Sequence, residues 1–268
     1  MLVPATPEKE GDYVKAFFTL ALVAILLAAA GTAFGYPSLL GPTGLALTPT
    51  ADIGRFGSLQ IAATFYNTKD DIAGLDNTEM ARAAFVVLPE IEVGAAFWRA
   101  KPAGGNTDTM SANAKIKLPL SLIGGNTAVG AILARTNGPV GPDETTTCAY
   151  IANTRGLLGI PGGAQTFRLT LGANWTRIED GASVDGIRGF AGLEFDIMDG
   201  FTVAAEYQMK KSDLGDTDPL TSVVGRLAIS ENLVLEAGVT NADPVTGGFT
   251  AMSEHNLFAG VILDWGGK

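Results

Sequence analysis

The sequence is poor in the residues that most chemistries need. It has one cysteine, Cys148, which rules out an intrachain disulfide and a cysteine-rich metal site. It has one histidine, His255, which follows Ser253 and Glu254. A catalytic triad needs convergent side chains rather than neighbours in sequence. There is no Gly-x-Ser-x-Gly, no phosphate-cradling glycine loop and no His-Glu-x-x-His. The chain therefore reads as a non-enzyme without cofactor or metal, an outer-membrane hydrolase being the outlying alternative. Positive charge is also scarce: 18 Lys and Arg stand against 28 Asp and Glu, a net −10. No basic stripe exists to neutralise phosphates, so nucleic acid is excluded as a partner, as is adsorption to anionic lipid.

Long hydrophobic runs are confined to Ala16–Ala30, too short for a comfortable helical span. Lys15 precedes that run, and small residues follow it to Gly35, as in a secretory signal peptide cleaved after Gly35 or Ala30. Glu8, Glu10 and Asp12 depart from that pattern and leave an uncleaved anchor as the alternative. The expected organisation is a signal peptide over 1–35, a Pro/Gly-rich segment over 36–54 and one domain over 55–268.

What is abundant is alternation. Phe167, Leu169, Leu171, Ala173 and Trp175 fall on one face of an extended chain, and Arg168, Thr170, Gly172, Asn174 and Thr176 on the other. About ten residues of this kind suit a tilted strand crossing a bilayer. Roughly a dozen such segments follow one another from Ser58 to Trp265. Short turns at Leu88–Glu90, Met198–Gly200 and Ser230–Asn232 alternate with longer polar loops, such as Asn67–Glu79, Lys101–Thr109, Arg177–Gly186 and Asn241–His255. Short periplasmic turns, longer external loops and an even strand number are the habit of outer-membrane barrels. The fold expected is all-β: a closed antiparallel transmembrane β-barrel of about 12 strands, between 10 and 14. It would sit in the outer membrane of a Gram-negative-type bacterium, with lipid as its partner.

That orientation sorts the side chains. Phe65, Phe97, Trp175 and Tyr207 fall at the outer ends of lipid-facing columns, and Phe85, Phe167, Phe195, Phe201 and Trp265 at the inner ends, forming two interfacial belts. The lumen face carries both signs of charge. Hairpin register places Glu92 across from Lys117, Arg226 across from Glu236, and Arg168 near Glu194 or Asp196. Arg82, Glu90, Asn113, Lys115, Arg188, Glu206 and Asp264 also face inward. Such pairs either fill a modest lumen or form a charged constriction that selects small solutes. The external loops are acidic, with Asp70, Asp71, Asp143, Glu144, Glu179, Asp185, Asp213 and Asp216 among them. They read as solvated loops, or as oxygen donors for a cation bridging to surface polysaccharide.

Tyr36–Gly54 is too rich in proline and glycine for a long regular element. It could hang in the periplasm, tuck into the barrel mouth or add a short strand. Gly41-Pro42-Thr43-Gly44-Leu45 and Thr48-Pro49-Thr50-Ala51 resemble the N-terminal signature of the YjbH-type outer-membrane proteins, a family associated with exopolysaccharide production. The resemblance covers about fifteen residues and implies an accessory role in making or exporting exopolysaccharide. The alternation itself implies porin-like passage of small solutes or a structural role in the envelope.

Overall fold

A two-faced sheet can meet hydrocarbon only if it has no edge, because an unpaired edge leaves backbone groups without partners. In the computed structural model of the chain, closure removes the edge. The structure describes residues 36–67, 76–101, 105–138, 143–159, 166–244 and 246–266; the expected signal peptide and the loop acids Asp70 and Asp71 lie outside the described residues.

Among the described residues, twelve strands follow in order: β1 (Leu59–Asn67), β2 (Asp76–Leu88), β3 (Ile91–Lys101), β4 (Thr107–Leu118), β5 (Asn126–Asn137) and β6 (Glu144–Gly159). The second half comprises β7 (Thr166–Glu179), β8 (Ser183–Met198), β9 (Phe201–Gln208), β10 (Leu220–Ser230), β11 (Leu233–Ala242) and β12 (Ala251–Trp265). Each pairs antiparallel with its sequence neighbours. β1 returns to β12 from Leu59↔Trp265 to Asn67↔Leu257, and the ring is closed.

Facing follows the pleat. In β1, Gln60, Ala62, Thr64 and Tyr66 are buried inside while Ile61 and Phe65 stand outside. Leu133, Ile187, Val223 and Leu257 are likewise exposed on the outer surface. In water such a continuous apolar face would be a liability; against lipid it is the matched surface. None of the nine belt aromatics is buried. Phe167 and Phe195 are register partners whose rings lie 6.0 Å apart at the short-turn end.

Inside, glycines make room for rings. Gly130 opposes Tyr150, Gly172 opposes Phe190, and Gly238 opposes Phe258. A Cβ on Gly172 would lie 2.2 Å from Phe190 Cζ, and one on Gly238 2.6 Å from Phe258 Cζ. In each pair the ring covers the bare backbone of the glycine across the ladder.

The expected loops at Lys101–Thr109 and Arg177–Gly186 are shorter than the sequence suggests, because pairing continues into them. Ile178↔Val184 and Glu179↔Ser183 leave a connection of only residues 180–182. This lengthening has a consequence for register. β3 runs to Lys101 and β4 starts at Thr107, so Glu92 opposes Lys115 and not Lys117. Lys117 instead lies at the strand end, its backbone N–H donating to the Glu90 carbonyl at 2.8 Å. Glu90 is exposed in the turn and does not face the lumen.

Candidate functional site: the plugged lumen

Tyr36–Gly54 lies inside the barrel. Prolines at 37, 42 and 49 deny it ladder donors, so it folds into two tight bridges, Pro37↔Thr43 and Gly44↔Pro49. Gly41 holds a φ of 109°, and a Cβ there would strike the Asn113 amide at 2.4 Å. Internal bonds such as Ser38 N–H to Pro42 O (2.7 Å) and Leu39 N–H to Ala46 O (2.6 Å) satisfy part of its backbone. The remaining groups, buried away from water, must find partners on the wall.

Two carboxylates supply the acceptors. Glu92 on β3 takes the Thr43 N–H and hydroxyl, each at 2.7 Å. Glu206 on β9 takes the Leu47 N–H and Thr48 N–H at 2.8 Å and the Thr48 hydroxyl at 2.7 Å. Thr154 on β6 accepts the Ala51 N–H at 2.9 Å. Two cations supply donors. Lys115 on β4 reaches the carbonyls of Thr43 (3.0 Å) and Asp52 (2.5 Å). Arg226 on β10 reaches those of Gly44 (3.2 Å) and Leu45 (2.6 Å). Trp98 Nε1 donates to Leu39 O at 3.2 Å. The Asp52 carboxylate is held by Asn126 (3.2 Å) and approached by Arg168 (3.6 Å).

Apolar contacts complete the seal. Leu39, Leu45 and Leu47 share one cluster with Tyr66, Trp98 and Phe258 of the wall. Tyr66 stacks on Phe258 with centroids 6.5 Å apart. Leu45 seats in a slot on β8: its Cδ1 lies 1.9 Å from where a Cβ on Gly192 would be. Tyr36, at the segment's start, packs under the Arg226 guanidinium, 5.3 Å from its ring centroid. Burial pushes the Tyr36 phenol up from its ordinary value, against the opposing pull of Arg226.

The loop end is narrowed from the other side. The connection from β11 to β12 turns inward, burying Phe249. Arg188 donates to Phe249 O and to Asp216, both at 2.9 Å, while Asp216 also accepts the N–H groups of Ala251 (3.1 Å) and Lys211 (2.8 Å). Between this loop and the plug lies a cavity of about 20 Å³, lined by Leu47, Cys148, Tyr150, Arg188 and Phe249. That is room for about one water molecule.

The charges expected to face inward are distributed as follows. Arg226 opposes Glu236 in register, but its Nε stands 3.8 Å from that carboxylate, whose close partner is Arg82. Arg168 pairs with Glu194, its register partner, while Asp196 accepts the Thr202 hydroxyl at 2.7 Å. Lys115 lies 3.5 Å from Glu92. Asn113 is buried against Gly41 and Gly94. Asp264 is half-buried at the short-turn end, accepting from Gln60 at 2.9 Å. His255 is on β12, exposed on the outer face, and contacts Thr221 Oγ1 at 2.7 Å, so it is not paired with an inward carboxylate. Of the loop acids among the described residues, Asp143 is met by Arg135, Glu179 by Arg177 (2.7 Å), Asp213 by Lys211 (2.7 Å) and Asp216 by Arg188, while Glu144 accepts from Thr146 (3.2 Å) and Asp185 from Trp175 Nε1 (3.0 Å).

The roles of Trp98, Tyr66, Gly192 and Asp52 in holding the plug were not apparent from alternation. One signal was available. Phe65-Tyr66 and Phe97-Trp98 are adjacent aromatic pairs, and on a strand one member of each must point into the lumen.

No known protein family and no curated protein matches the sequence. Solved structures match the fold. The KdgM porin in complex with disordered oligogalacturonate is 8% identical, with a TM-score of 0.51 over 78% of this chain and 99% of that one. The KdgM porin alone gives 0.50 at 8% identity and the same coverage. The Acinetobacter baumannii outer membrane protein Omp33 gives 0.46 at 9% identity, over 79% and 99%. At such identity the likeness to the KdgM porin is one of architecture. Together with the outward apolar band, it makes this chain a transmembrane barrel of the outer-membrane type.

Proposed function

We propose that the protein is a porin-like outer-membrane barrel closed at rest by its own N-terminal segment, passing small solutes when that segment withdraws. One observation carries this reading. The wall keeps Glu92, Lys115, Glu206 and Arg226 aimed into the bore, and bonds each of them to a segment that is not part of the sheet. A barrel meant only to brace the envelope could fill its lumen with apolar side chains and avoid the cost of burying Lys115, Glu206 and Arg226. Acids and bases are interspersed round the wall, which suits polar solutes without strong net charge. The oligogalacturonate of one similar structure is an acidic saccharide, and this lumen has no matching excess of bases.

Planar-bilayer recording tests it. The intact chain should stay mainly closed with transient openings. Leu45→Arg, which forces a guanidinium into an apolar slot beside Arg226, should hold the bore open. A folded Leu45→Arg barrel as silent as the parent would remove the channel reading.

A part in exopolysaccharide production or export is the second reading. It is supported by the fact that Thr43, Thr48 and Ala51, which carry the YjbH-type resemblance, are among the residues the wall grips. Loss of surface polysaccharide on deletion, without a change in permeability, would favour it.

A further inference from the structure

The wall reads the plug mainly through its backbone. Glu92 and Lys115, 3.5 Å apart, take the N–H and the C=O of the same residue, Thr43. Glu206 takes two successive N–H groups, of Leu47 and Thr48, while Arg226 takes two successive carbonyls, of Gly44 and Leu45. Carboxylates meet only donors and cations only acceptors, as the fixed polarity of a peptide bond requires. Side chains are read at fewer points: the hydroxyls of Thr43 and Thr48, Leu45 in the Gly192 slot, Tyr36 under Arg226 and the Asp52 carboxylate beside Asn126 and Arg168. All four charged readers are buried.

We propose that the emptied lumen is a binding site for oligopeptides that fold into the same pair of tight turns, with hydroxyl side chains placed as Thr43 and Thr48 are. Residues 36–52 occupy it as a tethered ligand. This rests on the gating reading above, since the site is free only when the segment has left. Nothing in the set of bonds requires that the backbone belong to this chain. A peptide entering from solution would meet the same pairs of opposite charge, the same slot and the same aromatic shelf of Trp98 and Tyr66. Peptide recognition of this kind gains affinity from main-chain bonds and specificity from a few side-chain positions.

The test uses the full chain carrying Leu45→Arg in detergent micelles, with a fluorescent peptide of the sequence 36–52 and polarisation as readout. The peptide should bind the variant saturably, and the intact chain at least tenfold more weakly because its own segment competes. Replacing Thr43 and Thr48 of the peptide by valine should weaken binding at least tenfold, as should Lys115→Met in the barrel. Equal binding of a scrambled peptide, or equal displacement by a neutral oligosaccharide at the same concentration, would overturn the proposal. Should Leu45→Arg fail to fold, judged by gel mobility before and after boiling, the pair Gly192→Leu with a Leu45→Gly peptide replaces it. Absence of binding there overturns it too. Because polarisation needs no current, the two readings separate. A variant that binds peptide but never conducts sinks the gating reading alone. One that conducts without binding peptide sinks the peptide site alone.

Discussion

A leucine in place of Gly192 is expected to open the barrel. The slot on β8 is already filled by Leu45, whose Cδ1 stands 1.9 Å from the position of a Cβ there. Leu45 is 1% exposed, so its side chain has nowhere to retreat without disturbing Leu39 and Leu47 of the same cluster. Losing one buried leucine contact costs roughly 2–5 kcal/mol. The closed state would be disfavoured by about thirty-fold or more, at tenfold for each ~1.4 kcal/mol. The strand itself should tolerate the change, because leucine is a better strand residue than glycine. The reciprocal swap Gly192→Leu with Leu45→Gly conserves volume and should restore the closed state. Open probability in planar bilayers reads both effects. Opening that the second substitution does not reverse would mean that Gly192→Leu deforms the wall instead of expelling the segment.

Glu236→Ala is expected to be the most destabilising single change in the wall. The carboxylate accepts from Arg82 and from Thr64 (2.9 Å) and stands 3.8 Å from Arg226, with its side chain 1% exposed. Its removal strands the Arg82 guanidinium, itself fully buried. Breaking a buried pair from one side costs roughly 3–5 kcal/mol, whereas replacing both partners by apolar residues of similar size often costs little. Arg82→Met with Glu236→Leu should therefore recover most of the loss, in sharp departure from additivity. Arg226→Ala should act differently, since Arg82 still serves Glu236. It frees the carbonyls of Gly44 and Leu45 and so loosens the plug more than the barrel. Urea unfolding in micelles, followed by the gel-mobility shift, separates the two. Additive losses at Arg82 and Glu236 would show that these side chains do not act as a pair.

Much of the barrel was legible because period-two alternation is a local property. Phe167–Thr176 states its two faces in its own residues. Strand ends were less legible, since Asp76–Thr78 and the Glu179↔Ser183 pair are as polar as a loop. They stay in the sheet because each neighbouring strand continues to offer backbone partners. That same lengthening moved the partner of Glu92 from Lys117 to Lys115. The inward charges were visible as charges, but their partners were not. Cross-strand pairing explains Arg168 with Glu194. Glu206, Arg226 and Lys115 bond instead to a segment far away in the chain, and no pattern within a strand reports that. Proline and glycine in Tyr36–Gly54 say only that the segment is irregular. Its location shows in the structure, where Glu92, Glu206, Lys115 and Arg226 supply the partners that its buried backbone groups need.

The occupied lumen is tested most directly by disulfide trapping. Leu45→Cys and Gly192→Cys are placed together in a chain whose Cys148 has been replaced by alanine, and oxidised in intact outer membranes. A cross-link between the segment and β8 should form in nearly all folded barrels and hold the bore shut until reductant is added. No cross-link, with the thiol at position 45 freely labelled by a membrane-impermeant maleimide, would place the segment outside the barrel.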